Sequence, residues 1–197
     1  MNPAIIKLGY LLAAILFIIG IKGLGEIAAG VRDILGATSL PVLMDGDDGY
    51  GDVKNVVHTI RTYEDMGVGA IMLEDQTWPK RCGHMAGKKV VDTAFMVDKI
   101  QAAVGARRDP DTIIVARTDA RAVNGLDDAL RRAEACAKAG ADVLFVEAPT
   151  SEAEMEQICR SFDTPLLVNV VEGGLTPALS RERYQEIGPD QLVPLNC

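Results

Sequence analysis

The sequence lacks an excess of positive charge. Its 197 residues include 20 lysines and arginines against 28 aspartates and glutamates, so the formal net charge is −8, and no basic run offsets it. Phosphate neutralisation needs clustered cations, so this composition argues against a nucleic-acid partner. A small acidic substrate stays compatible with it, because a local basic pocket can form in an acidic protein.

Cysteine is also scarce. The four cysteines, Cys82, Cys136, Cys159 and Cys197, include no CxxC pair, which argues against both a zinc knuckle and a disulfide framework. We therefore expect a reducing compartment, the cytoplasm. Cys136 lies among alanines in a helical pattern and is expected to be a small buried hydrophobic residue.

The chain is short for two domains but long enough for one substantial core. Residues 1–24 stand apart, because the fourteen residues from Leu8 to Ile21 carry no charge, somewhat fewer than the roughly 20 that a membrane helix needs. They predict an apolar N-terminal helix. Three interpretations stay open: a membrane contact through residues 4–21, a helix buried in protein, or a cleaved signal. The second predicted region is 25–197.

Six short apolar runs follow, separated by amphipathic segments. Their near-continuous hydrophobicity is typical of strands buried on both faces, as in a parallel sheet. The runs lie at 39–45, 69–75, 112–119, 142–148, 165–171 and 191–195. Between them, the predicted helices include 53–66, 127–139 and 152–162, the last with a capping box from Ser151 to Glu154. Strands that alternate with helices predict an α/β fold.

Polar residues lie at or just after the carboxyl ends of five successive runs. They are Asp45 with Asp47, Glu74 with Asp75, Arg117 with Asp119, Glu147, and Asn169. In a (β/α)8 barrel all strand ends converge on one mouth, whereas an open doubly wound sheet collects ligands only near a switch point. The pattern favours a TIM-barrel-type (β/α)8 fold that is incomplete, since six strands are found where a barrel needs eight.

The stretch MDGDDGYG, residues 44–51, is a candidate metal site. Asp45 and Asp47 precede a glycine-rich turn, and Glu74 from the next strand could complete an acidic patch for a hard divalent cation. We predict Mg²⁺, with Mn²⁺ as an alternative. The competing interpretation is a turn in which aspartates and glycines satisfy backbone geometry alone.

The stretch EDQTWPKRCGH, residues 74–84, places a thiol beside cations. Lys80 and Arg81 precede Cys82, and their charge would lower the pKa of the thiol and attract substrate carboxylates. His84 could hydrogen-bond to substrate or tune the thiol. A polar loop is no core, so Cys82 is the candidate reactive cysteine.

Three more strand ends supply candidates. Arg117 in ARTDA can clamp a carboxylate bidentately, and Asp119 is interpreted as a helix-entry or charge-balancing residue. Glu147 and Asn169 are candidates for hydrogen bonds to substrate or to metal-bound water, whereas His58, inside a helix, is interpreted as a surface or packing residue. A metal, a cationic clamp and an activated thiol together suggest chemistry on a small polycarboxylate through an enolate.

Five motifs in order resemble the isocitrate lyase and phosphoenolpyruvate mutase superfamily over about residues 25–188. The motifs are MDGDDGYG, LEDQTWPKRCGH, VARTDARA, FVEAP and NVVEGG. Among its members, KRCGH is similar to the branch of 2-methylisocitrate and 2,3-dimethylmalate lyases. Members of the family begin with about two further β/α units, which this sequence replaces with residues 1–24, and they continue past the equivalent of Leu195. The resemblance implies a homo-oligomer for full-length members.

The resemblance also implies roles for individual residues. It implies a metal site of Asp45, Asp47 and Glu74. It implies catalytic roles for Cys82, as proton donor, and for His84, Arg117 and Glu147, and substrate contacts from Lys80, Arg81, Gly83 and Asn169.

We therefore expect a Mg²⁺-dependent carbon–carbon lyase. It would cleave a 2-hydroxy di- or tricarboxylate, of the 2-methylisocitrate or 2,3-dimethylmalate type, to an α-keto acid and a second carboxylate by a retro-aldol step. Two alternatives stay open. One is a phosphonomutase of the carboxyphosphonoenolpyruvate type, and the other is an inactive fragment of the family.

Overall fold

The computed structural model describes residues 23–81, 87–171, 173–189 and 191–196. The apolar segment that predicted an N-terminal helix therefore lies outside the described residues, apart from its last two positions. Within the described ranges, no helix is both long enough and apolar enough to cross a membrane.

In the part of the chain that the structure describes, six parallel strands form one sheet in sequential order. They are β1 (Leu43–Asp45), β2 (Ala70–Glu74), β3 (Ile113–Thr118), β4 (Val143–Val146), β5 (Leu166–Val170) and β6 (Leu192–Asn196). Each strand pairs with its neighbours in the sequence, which is the strand order of a barrel wall and not of a doubly wound sheet. All six predicted strands are confirmed.

Helices lie between successive strands, and one further helix precedes β1. They are α1 (Leu24–Ala37), α2 (Val53–Met66), α3 (Thr93–Ala106), α4 (Ala120–Asn124), α5 (Leu126–Lys138), α6 (Glu152–Ser161) and α7 (Arg181–Ile187). The three predicted helices correspond to α2, α5 and α6, within one residue at each end. Helix α2 ends at Gly67, whose φ of 90° is the left-handed conformation that glycine adopts without strain.

The capping box predicted for α6 is only half formed. The Ser151 hydroxyl accepts a hydrogen bond from the Glu154 N–H at 3.2 Å, as predicted. The Glu154 carboxylate, however, accepts from the N–H of Thr150 at 2.8 Å and from the Arg121 guanidinium. The cation gives this carboxylate a stronger partner than the backbone of Ser151 would.

Apolar side chains cover both faces of the sheet. On β2, Ile71 and Leu73 pack against the helices, whereas Ala70 and Met72 lie in a second cluster on the opposite face. This alternation confirms strands buried on both sides. Cys136 of α5 belongs to the helix-side core, and burial raises the pKa of its thiol to about 12, so it is the predicted small hydrophobic residue. His58 is exposed on α2, as predicted.

Candidate functional site

The turn after β1 brings two carboxylates to the carboxyl edge of the sheet. The Gly46 N–H donates to the carbonyl of Met72 at 2.8 Å, and a Cβ at Gly46 would lie 2.9 Å from the same oxygen, so only glycine permits this approach. Asp45 Oδ1 accepts from the Asp47 N–H at 2.9 Å. Asp47 itself has a φ of 51°, a conformation uncommon for a non-glycine residue and often found at functional sites.

Glu74, at the end of β2, completes a cluster of three carboxylates around one ammonium group. Its N–H donates to the Asp47 carbonyl at 2.8 Å, which ties the β2 end to the β1 turn. The Lys80 Nζ forms an ion pair with Asp47 and lies 3.4 Å from Asp45 Oδ2 and 3.9 Å from Glu74 Oε1. We call Asp45, Asp47 and Glu74 the acidic cluster.

Burial dominates the electrostatics of this cluster. It raises the pKa of Glu74 from 4.5 to about 8, against the opposing effect of Arg117, and together with Asp45 it raises the pKa of Asp47 to about 6. Burial alone would lower the pKa of Lys80, but the three carboxylates raise it above its usual value. The cluster therefore favours any cation that reaches it.

Arg117 of β3 lies directly beside the cluster. It pairs in register with Glu74 on the neighbouring strand, and its Nε is 3.4 Å from Glu74 Oε2. Its Nη2 lies 3.8 Å from Glu147 Oε2, and its Nε donates to Asp119 at 2.9 Å. The guanidinium also lies 5.3 Å from the centre of the Phe145 ring. Arg117 thus connects three buried carboxylates.

A second buried cation, Lys88, reaches the same network. Its Nζ donates to Asp119 Oδ1 at 2.8 Å, with side chains 1% and 0% exposed. Of the two roles predicted for Asp119, charge balance accounts for its contacts. It also occupies the N-cap position of α4, but its side chain makes no capping hydrogen bond. Asp75, beneath it, accepts from the Asp119 N–H at 2.9 Å and from Arg132.

Asn169 and Glu147 lie buried on neighbouring parts of the same edge. Asn169, on β5, is 4% exposed, and its Oδ1 has no hydrogen-bond partner among the residues that the structure describes. Glu147, one residue past β4, is 1% exposed. A buried acceptor without a partner is rare in proteins and suggests a group that a ligand satisfies.

The loop after β2 is attached to the sheet edge on either side of its central stretch, residues 82–86. The Gln76 side chain accepts from the Arg81 N–H at 3.0 Å and donates to the Arg81 carbonyl at 2.9 Å. Beyond the stretch, Lys88 makes its ion pair with Asp119. Cys82, Gly83 and His84, the predicted proton donor and its neighbours, lie outside the described residues, so their predicted roles stay predictions.

Two further residues of the site, Gln76 and Lys88, are not predicted from the sequence. Gln76 directly follows the acidic pair at the end of β2, a position that resembles those of the predicted site residues and could have indicated it. Lys88 carries no such signal, because its partner lies 31 residues away.

The donor chemistry of the acidic cluster fits a hard divalent cation. Its ligands would be carboxylate oxygens, which Mg²⁺ prefers, and Glu74 Oε1 is a buried atom without a hydrogen-bond partner among the described residues. In those residues, however, no three acidic, histidine or cysteine side chains are already arranged to hold one ion. The carboxylates instead surround Lys80.

Comparisons with known proteins identify the relatives of the chain. Residues 22–192 match the family model described as phosphoenolpyruvate phosphomutase. The chain is 45% identical over 170 residues to 2,3-dimethylmalate lyase of Eubacterium barkeri, covering 86% of the chain and 59% of that protein. It is 46% identical over 175 residues to a probable 2-methylisocitrate lyase of Corynebacterium glutamicum, covering 89% and 57%.

Solved structures agree with these relatives. A crystal structure of 2,3-dimethylmalate lyase, a member of the phosphoenolpyruvate mutase and isocitrate lyase superfamily, matches with a TM-score of 0.84 at 39% identity, covering 89% of this chain and 60% of that one. Phosphonopyruvate hydrolase in complex with oxalate and Mg²⁺ matches with a TM-score of 0.80 at 26% identity, covering 99% and 72%. The predicted superfamily and its barrel-type fold are confirmed. The chain spans about 60% of the length of the lyases it matches.

Proposed function

The chain belongs to the phosphoenolpyruvate phosphomutase family, and from this premise we propose that it acts as a divalent-metal-dependent carbon–carbon lyase. Its substrate would be a small 2-hydroxy di- or tricarboxylate of the 2,3-dimethylmalate or 2-methylisocitrate type. The observation that carries the proposal is the carboxyl edge of the sheet. There, buried carboxylates, a buried arginine and an amide oxygen without a partner among the described residues meet beside Lys80. Identities of 45% and 46% to two lyases support the reaction class.

We assign the metal to the acidic cluster. Asp45, Asp47 and Glu74 would hold Mg²⁺, an ion present in the related phosphonopyruvate hydrolase complex, and Mn²⁺ has the same preference for oxygen ligands. A bound cation of this kind would polarise the oxygens of the α-keto product and stabilise negative charge on them.

The remaining roles belong to side chains of the chain itself. The substrate hydroxyl would pass its proton to the Glu147 carboxylate as the carbon–carbon bond breaks, which forms the α-keto acid and leaves the bonding electron pair on the α-carbon of the second carboxylate as an enolate. The Cys82 thiol would donate a proton to that carbanion. Asn169 would donate to or accept from the substrate, and Lys80, Arg81, Gly83 and His84 would contact it from the loop.

Arg117 and Glu147 would act next to the reacting atoms. Arg117 already has carboxylate partners at 2.9 to 3.8 Å, so it would bind a substrate carboxylate only with the donors that these contacts leave available.

The test is an activity assay of this chain with 2,3-dimethylmalate and with 2-methylisocitrate in the presence of Mg²⁺, with product acids separated by chromatography. Replacing Cys82 by serine removes the proposed general acid, and we expect kcat to fall roughly 10²- to 10⁴-fold. Cys197→Ser, which alters a thiol without an assigned role, is the matched control and should leave kcat unchanged.

A second assay, with a phosphonopyruvate-like substrate, distinguishes the alternatives. A phosphonomutase would rearrange phosphorus in a phosphonopyruvate-like substrate, visible by phosphorus NMR, and would release no pair of organic acids. An inactive fragment would turn over neither the two lyase substrates nor the phosphonopyruvate-like substrate. Full activity of Cys82→Ser would remove the proton-donor assignment but leave the lyase assignment in place.

A further inference from the structure

The Lys80 ammonium occupies the centre of the acidic cluster. It forms an ion pair with Asp47 and lies within 3.4 Å of Asp45 and 3.9 Å of Glu74. The three carboxylate side chains are 1% to 6% exposed, and that of Lys80 is 15% exposed. Three buried carboxylates repel one another in a medium that screens charge poorly. The positive charge of Lys80 therefore reduces the electrostatic destabilisation of the folded state.

We propose that Lys80 is an internal counter-ion that competes with the divalent metal, so that metal binding displaces Lys80 and moves the loop that carries it. The proposal rests on the proposed function, because it takes the acidic cluster as the metal site. In this proposal Lys80 neutralises the acidic cluster before the metal binds, and it contacts substrate only after the metal has displaced it.

Space and coordination argue that the two cations exclude each other. Mg²⁺ binds oxygen at about 2.0–2.1 Å in an octahedron and keeps several water molecules. An ammonium group within 3.4 to 3.9 Å of Asp45 and Glu74 stands in that volume. Among the described residues, moreover, no three acidic side chains are arranged as a metal site while Lys80 lies between them.

The path of the chain couples this exchange to the loop. The backbone of Arg81 is held on both its N–H and its carbonyl by Gln76, a residue of the β2 end. Residue 82, the proposed proton donor, follows at once. The proposal therefore requires that displacement of Lys80 changes the segment between Gln76 and Arg81. This segment contains Trp78, the one tryptophan of the sequence, which is 54% exposed.

Two measurements test the exchange. In calorimetric titration with MgCl₂, the variant Lys80→Met should bind Mg²⁺ at least about tenfold more tightly than the wild type, a factor that corresponds to roughly 1.4 kcal/mol. Lys89→Met removes the same charge from an exposed position nine residues beyond Lys80, so it controls for net charge and should change the dissociation constant less than twofold. Circular dichroism verifies the fold of each variant.

The second measurement needs no variant of Lys80. Tryptophan fluorescence of the wild type reports on Trp78 alone, and it should change during the Mg²⁺ titration and saturate with the calorimetric isotherm. An equal ionic strength of NaCl should leave it unchanged. This keeps the proposal testable if Lys80→Met fails to fold.

The outcomes test the metal site and the exchange of Lys80 for the metal separately. Equal Mg²⁺ affinity in Lys80→Met and the wild type, or a Trp78 signal that does not respond at saturating Mg²⁺, overturns the exchange and leaves the metal site standing. Absence of Mg²⁺ binding in all three proteins overturns the metal site and the exchange together. Tighter binding confined to Lys80→Met, with a responsive Trp78, supports both.

Discussion

Asp119 is a buried carboxylate that binds two buried cations. It is fully buried, and it accepts from Arg117 at 2.9 Å and from Lys88 at 2.8 Å. Burial would raise the pKa of its carboxyl, but the two cations lower it below its usual value. Asp119 is thus charged in the folded protein and neutralises two cations that would otherwise lack a common partner.

Replacing Asp119 by asparagine should therefore destabilise the fold by about 3–5 kcal/mol, because it removes the negative partner of a buried ion pair. The measurement is urea-induced unfolding followed by circular dichroism. Asp163→Asn, at an exposed position, should change the free energy of unfolding by less than about 0.5 kcal/mol. If Asp119→Asn cost under about 1 kcal/mol, the buried pair would be far less important than its geometry indicates.

At the scale of elements, the contact between α4 and α6 depends on one carboxylate. Glu154 accepts from Arg121 Nε at 3.0 Å, from its Nη2 at 2.7 Å and from the Thr150 N–H at 2.8 Å. Burial opposes these contacts, but together they lower the pKa of Glu154 below its usual value of 4.5. One side chain thus fixes the N-terminal turn of α6 against α4.

Because the pKa of Glu154 is lowered in the folded protein, the contribution of Glu154 to stability depends on pH in a defined direction. Because the folded-state pKa lies below the unfolded one, Glu154 stabilises the fold above about pH 4.5, and this contribution is lost as the pH falls through the folded-state value. We expect Glu154→Gln to lower the free energy of unfolding by about 1 kcal/mol at pH 7 and to flatten its decline on the acid side.

The check is a set of urea-unfolding curves between about pH 3 and pH 7, the range that brackets an ordinary glutamate pKa. Glu134→Gln is the matched control, because that carboxylate forms an i,i+4 pair with Lys138 on the surface of α5 and is 56% exposed. An acid decline as steep in Glu154→Gln as in the wild type would contradict the prediction.

Apolar runs and strand-end polarity made most of the architecture predictable. Runs such as 69–75 and 112–119 became β2 and β3 within one residue at each end. The run at 39–45 shortened to Leu43–Asp45, because Pro41, two residues before its start, has no N–H for a ladder. Helix α3 was not named in advance, and its opening TAFMVDKI offers no acidic first turn.

The side-chain partners of the site were not predictable in the same way. Lys80 was expected to contact substrate, and the structure brings it to Asp45, 35 residues earlier in the chain. Arg117 was expected to clamp a ligand, and its nearest partners are carboxylates of the protein. Strand ends can be identified from local sequence, whereas the path of a loop that brings a distant cation to them cannot.

At the scale of the whole molecule, the metal should link the site to the stability of the fold. The acidic cluster joins the β1 turn to the end of β2, so a cation bound there connects adjacent parts of the sheet and binds the folded state alone. A ligand at 100 times its dissociation constant stabilises a protein by about 2.7 kcal/mol, which for a domain of this size is roughly 5–10 °C in Tm.

We therefore expect saturating MgCl₂ to raise the Tm of the wild type by roughly this amount, EDTA to reverse the rise, and NaCl of equal ionic strength not to reproduce it. Asp45→Asn is the informative variant, because an amide keeps the oxygen that accepts from the Asp47 N–H but removes a charged ligand, and its Tm should respond to Mg²⁺ far less. Asp65→Asn, 65% exposed on α2, should respond as the wild type does. A wild type whose Tm ignores Mg²⁺ would match an inactive family fragment, because a fold that holds the acidic cluster in place must be stabilised by any divalent cation that binds it.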